Sequence, residues 1–212
     1  MTSYYNVKNI LRDFKNDDNQ LKILKRKVPK KSDIFFKKLY IFLPSISGYV
    51  RLFNAKKDIQ ELLKNNIPSK IKLDPFYDIW IDDMVNLCKI FCFFLGEDKV
   101  SIWIGAHRGC KRYHVDMVPY RLLVTYSGQG TELLPNYAAN RKAFIDGKSN
   151  KEIILDETKI KFINKWDIAI FRGGKDGILH RTPDSALKTF SSVLMRLDNA
   201  SFLEEIKKLN GV

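Results

Sequence analysis

The sequence contains no uninterrupted apolar run near the roughly 20 residues that a membrane-spanning helix needs. Its longest apolar stretch, Leu39 to Val50, is short and carries Pro44, Ser45, Ser47 and Gly48. Cysteine is scarce: three in 212 residues, an odd number that does not make a disulfide framework. Free thiols fit a reducing compartment. The opening MTSYYNVKNILRDFK lacks an apolar signal core and a cleavage site, so a cytoplasmic location is expected. Glycine (11) and proline (7) are too few for a collagenous or low-complexity chain. What is present, 45% hydrophobic and 12% aromatic residues, suffices for a substantial core.

Acidic residues are sparse at the front. Residues 1–72 hold 17 Lys and Arg against 6 Asp and Glu, whereas the remainder is nearly balanced, 20 against 18. The densest cluster, LKILKRKVPKKSD from Leu21 to Asp33, could neutralise phosphates, which makes a weakly held nucleic acid or other acidic partner one expectation. The competing reading is a lysine-rich background, because no recognisable nucleic-acid module accompanies the cluster.

Two regions are expected: a basic, partly helical region 1–72 packing on the core, and a domain over 73–212. KKDIQELLKNNIP reads as a short helix ending before Pro68. The clearest element follows, with Asp74 as N-cap, Pro75 at the first helical position and apolar residues at helical spacing from Tyr77 to Leu95, before Gly96. Cys88 and Cys92 lie one turn apart on its apolar face, where core packing is favoured over a metal. Beyond Gly96 the period becomes 2, and short β-branched and aromatic segments separated by glycine turns predict a mainly β sandwich or jelly-roll barrel with flanking helices. A closing helix is predicted at SFLEEIKKL.

The chain has only three histidines: His107, His114 and His180. In RYHVDMV, His114 and Asp116 are two apart on a predicted strand and so project from one face; His180 arrives 66 residues later on another strand. Two imidazoles and a carboxylate form the facial set that leaves metal positions open in non-haem Fe(II) oxygenases. The alternative is a pair of histidines satisfied by hydrogen bonds.

The blocks CKRYHVDMVPYRLLVTYSGQGTELL, WDIAIFRGGKDGILHRTP and VLMRLD resemble, in that order, the bacterial family known as domain of unknown function 1826. That family is itself similar to the double-stranded β-helix superfamily of Fe(II)- and 2-oxoglutarate-dependent oxygenases. The resemblance implies a jelly-roll, cupin-like core, His114, Asp116 and His180 as metal ligands, Fe(II) as the metal and 2-oxoglutarate as co-substrate. The substrate stays unidentified.

A 2-oxoglutarate enzyme needs a cation for the distal carboxylate, commonly early on the strand after the distal histidine. That place reads Thr189-Phe190-Ser191-Ser192 here, so Arg121, Lys188 and Arg196 are the candidates. Cys110, with His114, Asp116, His180 and also His107, could instead close a tetrahedral Zn(II) site, making the chain a non-enzymatic zinc-binding or metal-homeostasis protein. Asp167 is a candidate to hydrogen-bond a ligating histidine. Tyr113 and Tyr126 are candidates to line the site. Glu132 and Asn136, on the segment from Gly128 to Phe144 read as a loop over the barrel mouth, are candidate substrate contacts, as is Arg181 beside His180.

Overall fold

The segments with strand periodicity pair into two antiparallel sheets in the computed structural model, which describes residues 4–188 and 191–209. In chain order the elements are α1 (Tyr4–Asn16), β1 (Leu21–Leu24), α2 (Ser32–Leu39), β2 (Ile46–Arg51), α3 (Ala55–Leu63), α4 (Ser69–Lys72), α5 (Pro75–Leu95), β3 (Lys99–Gly105), β4 (Tyr120–Ser127), β5 (Glu132–Leu134), α6 (Arg141–Ile145), α7 (Asn150–Ile153), β6 (Lys161–Phe162), β7 (Ile168–Arg172), β8 (Leu179–Arg181), β9 (Val193–Asn199) and α8 (Ala200–Leu209).

The large sheet has the order β1-β7-β4-β9-β3-β2, and the small one β6-β5-β8, with His114 bridged onto His180 of β8. Along the chain β3, the His114 segment, β4 and β5 alternate between the sheets. After β6, strands β7, β8 and β9 alternate again. That crossing pattern is a double-stranded β-helix, the jelly-roll way of closing antiparallel strands. Both edges of the large sheet, β1 and β2, come from the N-terminal third.

Strand alternation sorts the side chains. Leu122, Val124 and Tyr126 of β4, Val193, Met195 and Leu197 of β9, and Val100, Ile102 and Ile104 of β3 join the helical core. The opposite faces give Leu123, Ala169, Phe171 and Leu194, which meet Leu133 of β5 between the sheets. Helix α5 fills the outer core with Trp80, Met84, Leu87, Cys88 and Phe91, all buried. It begins and ends as expected: the Asp74 carboxylate accepts from the Phe76 amide at 3.0 Å, and Gly96 takes the left-handed φ of 78°. Cys88 and Cys92 are packing groups. Burial pushes both thiols up, Cys92 to about 12.

An ionic clamp joins the segment after β1 to the rest. The Arg26 guanidinium meets Asp83 of α5 at 2.5 Å and donates to the Trp166 carbonyl, and its amide donates to Asp167 at 2.9 Å. The Tyr126 hydroxyl donates to the other oxygen of Asp83 at 2.8 Å.

Candidate metal centre

His114 and His180 face each other across a single antiparallel bridge, each amide donating to the other's carbonyl at 3.0 Å. Their ring centroids are 4.3 Å apart. Asp116, two residues beyond His114, brings its Oδ2 to 3.5 Å from His180 Nε2. One ligand atom from each of the three lies within 4.8 Å of the others, the one such grouping of three among the described residues.

The imidazoles are oriented by main chain. His114 Nδ1 lies 3.1 Å from the Arg112 carbonyl, and His180 Nδ1 lies 3.0 Å from that of Ile178. A carbonyl only accepts, so Nδ1 carries the proton and the Nε2 lone pair stays free to ligate. His180 is 4% exposed, and burial lowers it to about 4 against the opposing pull of Asp116, which keeps the ring neutral. Phe171 backs that ring at 4.6 Å between centroids.

The Asp116 carboxylate, also 4% exposed, accepts from Arg121 through Oδ1, while Oδ2 is buried with no hydrogen-bond partner. Arg121 also donates to Asp198 at 2.7 Å, and Arg196 Nε lies 2.9 Å from the second Asp198 oxygen. Phe202 of α8 covers both guanidinium groups at 5.2 and 5.3 Å from its ring centre. Burial raises the Asp198 carboxyl in spite of its arginines. Formally, these two arginines and two aspartates cancel. A divalent cation at the triad would leave the pocket with two positive charges in excess, a balance that suits a dianionic co-ligand. The partnerless Oδ2, the two free Nε2 atoms and the neutral His180 fit a metal of the Fe(II) or Zn(II) type.

The other sequence candidates are placed as follows. Arg121 is inside the barrel and hydrogen-bonded to Asp116 and Asp198, Arg196 is ion-paired with Asp198 while its buried Nε makes no hydrogen bond, and Lys188 is exposed in the loop after the Asp184–Leu187 turn. Thr189 and Phe190 lie outside the described residues. Cys110 and His107 are exposed and do not belong to the grouping, which brings together three donors among the described residues. Asp167 binds the Arg26 amide and Asn164, not a histidine; backbone carbonyls take that role. Tyr126 points into the helical core, away from the metal candidates. Tyr113, Glu132 and Arg181 form their own network on the outer face of the small sheet, with Arg181 bridging Glu132 at 2.7 Å and Asp184 at 2.8 Å. Strand alternation is the reason: Leu133, between them in register, is the residue that faces inward with His180. Asn136 is exposed on a short 3-10 turn, and the segment expected to be a loop contains β5 and the start of α6.

Sequence reasoning missed Arg108. It is only 9% exposed, donates to the Gln129 carbonyl and the Thr131 hydroxyl at 3.0 Å each, and has no carboxylate partner among the described residues. Its Nε is buried without any hydrogen-bond partner. Burial lowers it to about 10, so it remains a cation at neutral pH. A lone arginine among 37 basic residues carries no mark of burial in the sequence.

The profile of the family described as "Protein of unknown function (DUF1826)" matches residues 6–198. No curated protein matches the chain. Among solved structures, the Fe(II)/(alpha)ketoglutarate-dependent dioxygenase TqaL is similar over 93% of this chain and 89% of its own, with 9% identity and a TM-score of 0.49. The dioxygenase for auxin oxidation in rice follows at 92% and 77%, 10% identity and 0.45. A full-length Neurospora crassa protein in complex with alpha-KG and 5-formyluracil is similar over 92% and 78%, with 10% identity and 0.35. Likenesses this remote carry no weight for the chemistry, which has to come from the residues themselves.

Proposed function

This chain belongs to the DUF1826 family, and from its own site we propose that it is a mononuclear non-haem Fe(II) oxygenase that uses 2-oxoglutarate. The observation that carries the reading is the grouping of half-buried His114 with buried Asp116 and His180, with a free ligating atom on each member. Two imidazoles and one carboxylate on one side of an ion leave adjacent positions for a chelating acid and dioxygen. Fe(II) bound there would supply the reduction of dioxygen, with two electrons from decarboxylation of 2-oxoglutarate to succinate and CO2 and two from hydroxylation of a substrate C–H bond.

The chain's contributions are orientation, charge and exclusion of water. The Arg112 and Ile178 carbonyls hold the imidazoles in the tautomer that could ligate, and Arg121 holds the Asp116 carboxylate through Oδ1, which leaves Oδ2 on the side of His180 Nε2, where it would join the histidines in holding a metal. Phe171, Leu123, Leu133 and Leu194 form an apolar floor between the sheets. Such a floor strengthens every charge interaction above it. The grouping brings three donors together and leaves Cys110 outside it, which favours this reading over a four-donor zinc site. No helix among the described residues is long and apolar enough to cross a membrane.

The test is an anaerobic visible titration of metal-free protein with Fe(II) and then 2-oxoglutarate. A charge-transfer band that needs both, and fades in air, is expected. Tight Zn(II) binding with no such band would overturn the oxygenase reading.

A further inference from the structure

The basic run from Leu21 to Asp33 has no part in the metal centre, yet the fold fixes it with care. It leaves β1 alongside the turn between β6 and β7, and the two segments are sewn together. The Arg26 amide donates to Asp167, the Arg26 guanidinium to the Trp166 carbonyl, and the Trp166 indole to the Ser32 hydroxyl at 2.9 Å, while the Lys165 ammonium meets Asp33 at 2.7 Å. The two non-glycine residues with a left-handed φ among the described residues, Lys31 at 70° and Trp166 at 68°, both belong to this seam. Backbone held in that region is strained, and such strain gathers where a fold shapes a binding surface.

Between the two segments lies a cleft of about 520 Å³. Lys25, Arg26 and Val28 form one wall, Phe162, Asn164 and Lys165 the other, and the turn 128–130 the floor. A Cβ on Gly130 would meet the Ile163 carbonyl, so floor and wall are in direct contact and the cleft is preformed. The acids of this region are engaged within the protein: Asp33 by Lys165, Asp83 by Arg26, and both oxygens of Asp167 by the Arg26 amide and Asn164. Lys25, Lys27 and Lys30 of the same run are exposed. Phe162, 43% exposed, and Val28, 42% exposed, put apolar surface into this cationic cleft. Lysines alone attract any anion, whereas an aromatic face beside them selects an anion that also carries flat rings.

We propose that this cleft binds single-stranded nucleic acid, with phosphates on Lys25, Lys27 and Lys30 and a base stacked on Phe162. A single strand offers charge and unstacked ring faces together. An acidic peptide offers the charge alone, and a duplex keeps its ring faces inside. The proposal is independent of the metal-centre reading, since the seam and the cleft are the same whether or not His114, Asp116 and His180 hold a metal.

Fluorescence anisotropy of the full chain with a labelled single strand of about 12 thymidines tests it. Binding at low salt is expected, weakening as salt rises with a log-log slope of about −2, the value for roughly three phosphate contacts on a single strand. Lys25→Ala, Lys27→Ala and Lys30→Ala combined should flatten that slope. Phe162→Ala should weaken binding roughly 10-fold at every salt concentration and leave the slope unchanged, and Phe162→Tyr should retain the parent affinity. If Phe162→Ala melts below the parent, Phe162→Leu, which keeps the bulk without the ring, gives the same comparison. The control removes the same charge elsewhere: Lys57→Ala, Lys89→Ala and Lys151→Ala, all exposed and on other elements, should bind as the parent does. No binding at low salt, an equal loss in this control, or affinity indifferent to Phe162 would overturn the proposal. So would an oligoglutamate or a duplex of the same length that competes as well as the single strand, the former identifying an acidic peptide as the partner.

Discussion

His114 and His180 exchange both of their main-chain hydrogen bonds, at 3.0 Å each, so the two imidazoles of the candidate metal centre are registered by backbone. Side-chain rotamers therefore have little left to decide. The bridge fixes the separation of the Cα atoms, and one carbonyl beneath each ring fixes its rotation.

Removal of a ligand is expected to abolish metal retention without unfolding the chain. His180→Ala and His114→Ala should each lower Zn(II) or Fe(II) affinity by more than the roughly 10- to 100-fold that loss of a supporting hydrogen bond costs. Metal analysis after dialysis, with circular dichroism as the control, checks this. Metal content equal to the parent's would remove the histidine from the centre.

Metal-free protein should lose stability on acidification through His180. Its folded value of about 4 lies below the ordinary 6.5, so the unfolded chain binds the extra proton between those limits. The contribution is complete above about pH 6.5 and is lost as pH falls toward 4, by on the order of 3 kcal/mol. Urea unfolding of parent and His180→Gln at pH 7.5, 6 and 4.5 isolates it: the gap between the two curves should narrow with acid. A gap that stays constant would show that His180 is not held neutral.

Arg121 is the shared partner of two buried carboxylates. Arg121→Met should destabilise the metal-free chain by about 3–5 kcal/mol, since uncompensated buried charges remain. Adding Asp198→Asn should recover part of that loss, and so should saturating Zn(II), which neutralises Asp116. Denaturation midpoints report both effects. Simple additivity of the two substitutions would mean that the ion pairs are not energetically coupled.

Thiol chemistry separates the structural cysteines from the exposed one. Cys110 alone should react with a disulfide reagent in the native chain, and all three cysteines in denaturant, because Cys88 and Cys92 are buried and held protonated. Saturating Zn(II) should leave the native Cys110 rate unchanged. Protection by zinc would return Cys110 to the ligand set.

Local chemistry made much of this legible. Helix α5 announces itself through Asp74, Pro75, a continuous apolar stripe and Gly96. Strands β3, β4, β7, β8 and β9 show period 2 or dense β-branched content, and His-x-Asp needs only that period for its two side chains to share a face. Strand β1 is hidden because LKIL opens a lysine-rich run whose charge dominates the reading. Strand β2 is hidden by Gly48, which looks like a breaker but makes room for Leu62: an added Cβ would lie 2.4 Å from its Cδ2. Tyr126 and Asp167 were expected near the metal because sequence distance gives no sheet face across a β-bulge, and the Asp83–Arg26 clamp that holds them spans 57 residues. Arg108 lacks any local signal, since burial without a counter-charge is a property of the closed barrel alone.

The order in which the chain is made runs against the order in which its large sheet closes. Strands β1 and β2 emerge early in synthesis, yet β2 pairs with residues 99–104 and β1 with residues 168–171, so the first must wait for most of the chain. Contacts this distant in sequence make folding slow and expose unpaired strands meanwhile.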